Sequence, residues 1–219
     1  LEIYPYSEEL ANALTHGIGV VIFLVLCPVL IAYAVQTGYN RKVIGASLFS
    51  IGLLAVFASS SIYHAIPDKF TKEVMRVFDY LSIYLLLAGS YTAFIIIYFQ
   101  NKFGNLLLAF IWFSSFLGIS FKIMAPDASF VYSLMIYLGL GWIGIFLIKP
   151  SLRKVKSRIL SLLLLGGIFY TMGTYFIYYD DVKYYHAIWH LFVLLGALTH
   201  WWAVLLSVQD KVRVNKLKL

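Results

Sequence analysis

Cysteine and charge are what this sequence has least of. Its 219 residues include one cysteine, Cys27, so no disulfide can close within the chain and a cysteine-rich metal site is excluded. Only 12% of the residues are charged, about half the share of an ordinary soluble domain. A basic leader is missing as well. The opening stretch LEIYPYSEELANALTHG is acidic, so no cleavable signal peptide is expected. Nothing polar is long enough to form a separate soluble domain, and residues 1–219 read as one unit.

What is abundant is apolar. Hydrophobic residues make up 62% of the chain and the mean hydropathy is +0.85. A soluble fold cannot hide that much apolar surface, so the class is an all-α, polytopic membrane protein. Seven spans are expected, at 14–36, 43–66, 74–98, 104–124, 130–149, 158–178 and 184–206, with KIMAPDAS (122–129) as the turn between the fourth and fifth. Short gaps make neighbouring helices antiparallel. A transmembrane barrel is ruled out, because the runs are too long and too uniformly apolar.

The formal charge is +7, but the basic residues adjoin apolar segments. They read as topology signals and contacts to anionic lipids, and no nucleic-acid partner is expected. Side A comprises the N-terminus and the turns after spans two, four and six. Its only basic residues are Lys69, Lys72, Arg76, Lys122 and Lys183, whereas RKVK (153–156) and the tail KVRVNKLKL (211–219) enrich side B. Among the acids only Asp210 lies on side B. The Lys/Arg bias predicts a cell-membrane protein with side A and the N-terminus outside and the C-terminus cytoplasmic.

Against this background the polar residues stand out. His64 closes span two in SSSIYH (59–64), Asp79 opens span three, and His186 and His190 open span seven in YYHAIWHLFV (184–193). Antiparallel helices bring all four to one depth on side A. Residues i and i+4 share a helix face, about 6 Å apart along the axis, so His186 and His190 can grip one metal and His64 can complete a three-nitrogen set. Three protein ligands and an open position characterise catalytic zinc, although imidazole also accepts iron, nickel or cobalt. Asp79 can serve as a fourth ligand, hold and deprotonate a water on the metal, or simply cap the third helix. The competing reading is a metal-free polar network that staples helices two, three and seven and carries protons or a substrate. Ionisable groups inside a membrane are costly and usually functional, which favours the metal.

A second layer is less specific. Ser60 lies one turn before His64 and either positions an oxygen of water or substrate or bonds the carbonyl of residue 56. Glu8, Asn12 and His16 repeat at i, i+4, i+8 behind Ser7, an expected N-cap. The stripe is either an amphipathic lead-in or an outer layer that orients a ligand. His200, ten residues beyond His190, is about 15 Å deeper and belongs to packing or gating.

Four stretches, EELANALTHG (8–17), SSSIYH (59–64), VFDYLSIYLLLAGSYT (77–92) and YHAIWHLFVLLGALTH (185–200), together resemble the haemolysin III proteins of bacteria. These belong to the wider group of progestin and adipoQ receptors, and the resemblance runs along almost the whole chain. It implies a seven-helix bundle with zinc (Zn2+) near one membrane face, held by His64, His186 and His190. Asp79 matches the acidic residue that helps hold water on the metal, and Ser60 the serine one turn before the first ligand. The superfamily includes alkaline ceramidases, so a hydrolase acting on a lipid amide or ester is implied, with a sphingolipid-like or fatty-acyl substrate among membrane lipids. The bacterial branch is named for cell lysis. A cytolytic, pore-forming or sensor protein with a structural zinc is therefore the alternative, although no amphipathic pore-forming strands are present. Receptor members place the N-terminus and zinc in the cytoplasm, opposite to the charge-based orientation. Without a long N-terminal domain, no protein-hormone partner is expected.

Overall fold

The computed structural model describes residues 4–125 and 128–211, and among these there are helices and no strands. The helices are α1 (Tyr6–Gln36), α2 (Asn40–Ala65), α3 (Lys69–Tyr98), α4 (Lys102–Met124), α5 (Phe130–Trp142), α6 (Ile145–Ser151), α7 (Ser157–Tyr178) and α8 (Tyr185–Gln209). With α5 and the start of α6 taken together as Phe130–Leu147, they provide seven segments long and apolar enough to cross a membrane. The expectation of an all-α, seven-span membrane protein holds.

Several boundaries differ from those expected, each for a physical reason. α1 begins at Tyr6 rather than 14, so the polar stripe is its first turns and continues straight into the span. Pro5 occupies its N-cap position without a side-chain bond, and Ser7 lies inside the helix instead of capping it. Proline pre-sets the helical entry there, which leaves the serine no capping task. α3 starts at Lys69 rather than 74 because Asp68 caps it, accepting from Thr71 N at 2.8 Å and Thr71 Oγ1 at 2.6 Å. Asp79 is therefore well inside α3 and does not cap it. The span expected at 130–149 is broken after Trp142. Tyr91 of α3 fills the break: its hydroxyl donates to Gly141 O at 2.6 Å and accepts from Gly144 N at 2.7 Å. Irregular backbone at membrane depth is tolerated where protein groups satisfy it. Of the turn expected at 122–129, residues 126–127 lie outside the described residues.

Helices in lipid gain little from apolar burial against one another, so close packing and interhelical hydrogen bonds decide their contacts. α1 packs between α2 and α8, α2 against α3, α3 against α4, and α7 against α8. Along α1 the inward row is Asn12, His16, Gly19, Phe23, Cys27, Leu30 and Ala34, all buried, while Leu14, Ile18, Val21 and Val25 face outward. Both rows have the 3.6-residue period. Polar character is confined to the side A end of the inward row.

Side B is pinned by a fully bonded network. Buried Lys42 donates to Val208 O at 2.6 Å and Asp210 O at 2.7 Å, closing the C-terminus of α8. The Asp210 carboxylate accepts from Tyr98 at 3.1 Å and pairs with Lys156 at 3.0 Å.

The α2–α3 contact is close enough to exclude a methyl group at glycines of both helices, Gly52 and Gly89 most tightly. A Cβ on Gly52 would meet Leu86 Cα at 2.7 Å, and one on Gly89 would meet Leu48 O at 2.7 Å. Both obstacles are backbone and cannot swing away. Gly52→Ala and Gly89→Ala are expected to destabilise the bundle by about 1–3 kcal/mol each. Gly167→Ala, which meets nothing within 4 Å, should be neutral or slightly stabilising. Thermal unfolding in detergent, followed by circular dichroism, distinguishes them.

Candidate metal centre

At the side A end, α2, α8 and α1 converge on three imidazoles. His64, at the end of α2, and His186 and His190, in the first two turns of α8, offer ligand nitrogens that all lie within 4.8 Å of one another. Their ring centroids are 4.6–5.2 Å apart. His64 and His190 are buried, and His186 is half-buried. Three histidines so arranged can hold a metal ion.

The hydrogen bonds on the other ring nitrogens test whether they fit that task. His64 Nδ1 donates to Glu9 Oε2 at 2.7 Å. His190 Nδ1 reaches the Asn12 carbonyl at 3.2 Å, with Thr15 Oγ1 also at 3.2 Å. A carbonyl only accepts, so this nitrogen carries the proton. Tyr4 donates its hydroxyl hydrogen to Asp180 Oδ2 at 2.7 Å, so the contact of 2.9 Å between Tyr4 Oη and His186 Nδ1 has the histidine as donor. Each tautomer follows from an acceptor already in place. All three Nε2 lone pairs remain, and the Nε2 atoms of His64 and His190 are buried with no hydrogen-bond partner. That is the state in which an imidazole binds a metal, with a carboxylate or carbonyl fixing its far nitrogen.

Those acceptors are themselves held. Glu9 Oε1 lies 2.9 Å from Lys72 Nζ, which also donates to Tyr63 O at 3.0 Å. Burial works against the charged form of Asp180, but its bonds with His186 and Tyr4 prevail and hold the carboxyl below its ordinary value. Glu8 Oε2 accepts from Tyr184 N at 2.9 Å. Tyr184 has φ +64°, the one left-handed non-glycine residue described. That conformation costs about 1–3 kcal/mol, and the Glu8 bond helps to hold it, fixing the turn that launches His186.

The other expected residues distribute around this group. Asp79 does not join the three histidines as a ligand. Its carboxyl lies beside Ser60, yet Ser60 Oγ completes no hydrogen bond of ordinary geometry. The close approach stands, and the bond is imperfect. Ser60 does not bond the carbonyl of residue 56; its neighbour Ser59 does, at 3.3 Å. His16 stacks on His190 with centroids 3.7 Å apart. His200 is remote from the group and donates from Nε2 to Leu163 O at 3.0 Å, tying α8 to α7. Tyr4, Glu9 and Asp180 are the functional neighbours that spacing alone passed over. Glu9 was one position off the i, i+4 stripe, and Tyr4 and Asp180 lie outside the helices.

Comparison with known proteins gives the family. The family described as haemolysin-III related matches residues 4–201. The chain belongs to this family. It is 36% identical over 203 residues to the hemolysin-3 homolog of Bacillus subtilis (strain 168), covering 93% of this chain and 95% of that one. To hemolysin-3 of Bacillus cereus it is 35% identical over 202 residues, 92% of each chain. The monocyte to macrophage differentiation factor of Homo sapiens is 26% identical over 206 residues, 90% of this chain and 83% of that one.

Removing the far-nitrogen acceptors should weaken metal binding without removing a ligand. Glu9→Gln and Tyr4→Phe are each expected to lower affinity for Zn2+ by about 10–100-fold, measured by competition with a chelator. His186→Ala and His190→Ala should abolish stoichiometric binding, and His200→Gln should leave it intact. Equal metal content in all five variants would sink the assignment.

Proposed function

We propose that this haemolysin-III family protein is a zinc-dependent membrane hydrolase acting on a lipid amide or ester, in the manner of a ceramidase. One observation carries the reading: three imidazoles have their outer nitrogens engaged by the protein, and among the described residues no fourth protein ligand joins them. A zinc ion in such a site supplies Lewis acidity, polarising a carbonyl and making water nucleophilic near neutral pH.

The chain's own residues supply orientation and proton handling. Glu9, the Tyr4–Asp180 pair and the Asn12 carbonyl keep the three histidines neutral at Nε2 and fixed in rotation. Asp79, alongside Ser60, is the carboxylate set to accept a proton from an attacking water and return it to the leaving group. The substrate comes from the membrane, and the Lys/Arg bias supports side A, with the site, facing outside.

Purified protein in lipid nanodiscs is expected to release fatty acid from a short-chain ceramide or a matched ester. Asp79→Asn should lower kcat by about 10²–10⁴ with Zn2+ retained, and His186→Ala should abolish turnover. The names of the bacterial relatives favour lysis as the second reading. Dye leakage from liposomes that persists in His186→Ala, with no turnover in wild type, would favour it and sink the hydrolase. Maleimide labelling of Ser7→Cys in intact cells, with Cys27 replaced by alanine, should succeed from outside. Labelling only after lysis would reverse the orientation.

A further inference from the structure

Side B has more cations than it can pair from its own residues. Asp210 is its one acid, and that carboxylate is engaged by Tyr98 and Lys156. Lys42 is bound to the carbonyls that end α8. Two further basic residues rest on aromatic rings: Lys154 Nζ is 5.1 Å from the Phe99 centroid, and the Arg158 guanidinium is 5.6 Å from that of Trp202. Lys149 and Arg153 are different. Both are exposed, and among the described residues no acid pairs with either.

These two cations flank one cleft of about 470 Å³, lined by Lys149, Pro150, Leu152 and Arg153. Its frame is fixed. Ser151 and Val155 are buried, and the amides of Lys154 and Val155 both donate to Ser151 O at 2.9 Å. The turn after α6 is thereby anchored through alternate residues while the cleft residues point outward. Lys149 stands in the last turn of α6, where a cation is favoured whatever it binds. Arg153 lies beyond the helix and has no such reason to be there.

The surroundings of the cleft indicate its occupant. Phe146, Lys149, Pro150 and Arg153 follow an i, i+3, i+4, i+7 pattern, so one face runs from apolar to basic. Phe146 and Ile145 are exposed and belong to the segment Phe130–Leu147 that crosses the membrane. Leu152, at the floor of the cleft, is exposed too. The cleft is thus continuous with a lipid-facing surface. An anion arriving from water would leave that apolar half unused. A molecule with a phosphate and acyl chains would use both: the guanidinium and ammonium take the phosphate oxygens, and the chains follow Phe146 and Ile145.

We propose that Lys149 and Arg153 form a binding site for the phosphate of an anionic phospholipid on side B, at the opposite end of the bundle from the three histidines. The site is independent of any reaction at those histidines. It seats the end of the broken fifth span against the membrane surface.

The test titrates full-length protein in neutral detergent with dioleoylphosphatidylglycerol or dioleoylphosphatidylcholine and counts bound lipid by native mass spectrometry. Wild type is expected to prefer the anionic lipid, and the preference should shrink as salt is raised. Lys149→Gln with Arg153→Gln should weaken binding of the anionic lipid by about 30-fold. It should also unfold at the wild-type temperature, since both side chains are exposed. Lys154→Gln with Arg158→Gln removes the same charge from the same face and should lose far less. Equal affinity of wild type for the two lipids would overturn the proposal, as would wild-type affinity in the Lys149, Arg153 variant. Equal losses in the two paired variants would replace the site with diffuse surface charge. Displacement of the lipid by excess inorganic phosphate would show that the acyl chains contribute nothing, and would overturn the lipid as occupant.

Discussion

An imidazole that offers one nitrogen to a metal must dispose of the proton on the other, and inside a membrane water is a poor recipient. In this bundle the protein takes all three protons. Glu9 and the Asn12 carbonyl are on α1, and the Tyr4–Asp180 pair joins the segment before α1 to the turn before α8. The arrangement requires α1 to lie between α2 and α8, because one helix serves histidines on both neighbours. That single constraint accounts for the order of packing, for the length of α1 beyond its apolar run, and for the acidic residues in its first turns. A first span that began where hydropathy alone begins it, near residue 14, would leave all three outer nitrogens without acceptors.

The same constraint explains how much of the site was legible from the chain. Histidine and aspartate are so scarce within the apolar runs that His64, Asp79, His186 and His190 declare themselves, and counting from span ends brings them to one depth. Antiparallel connection does the rest, and the three histidines do meet. Rotational phase is another matter. Selecting the i, i+4 stripe through Asn12 picked out Glu8, on the assumption that α1 has one inward face. Because α1 is flanked on two sides, Glu9, about 100° further round the helix, faces His64 while Glu8 reaches back to Tyr184. Tyr4 precedes the helix and has no periodicity to betray it. The break after Trp142 was hidden because both halves are apolar, and the residue that stabilises it, Tyr91, is fifty positions away on α3.

The histidine end and the Lys42–Asp210 network treat buried polar groups in opposite ways. On side B, Lys42, Tyr98, Asp210 and Lys156 bond to one another and to helix-end carbonyls, and Lys42 lies where α8 runs out of intrahelical partners. His200 is likewise accounted for, by Leu163 O and by the space that Gly166 leaves for its ring. These groups connect helices and have nothing to spare. On side A the bonded groups, Glu9, Lys72, Tyr4, Asp180 and Thr15, form an outer layer, and inside it lie His64 Nε2, His190 Nε2, Asn12, His16 and Ser60 without partners.

That contrast bears on what kind of protein this is. A purely structural polar core gains its worth from being closed, since each unmatched buried group costs about 1–3 kcal/mol and each satisfied one gives back part of that. The Lys42–Asp210 network on side B obeys this rule, although Arg41 Nε and Ser151 Oγ at the same face are buried without a partner, and so the fold is capable of it. Side A holds a well-bonded outer layer around an unbonded interior, which is a poor way to staple helices and a good way to present unpaired nitrogens, an amide and a hydroxyl to something that enters. The cost of that interior is carried by the rest of the bundle, above all by the backbone-close α2–α3 contact and the side B network. The distribution of satisfied and unsatisfied groups is thus itself the argument that the histidine end was shaped around an occupant.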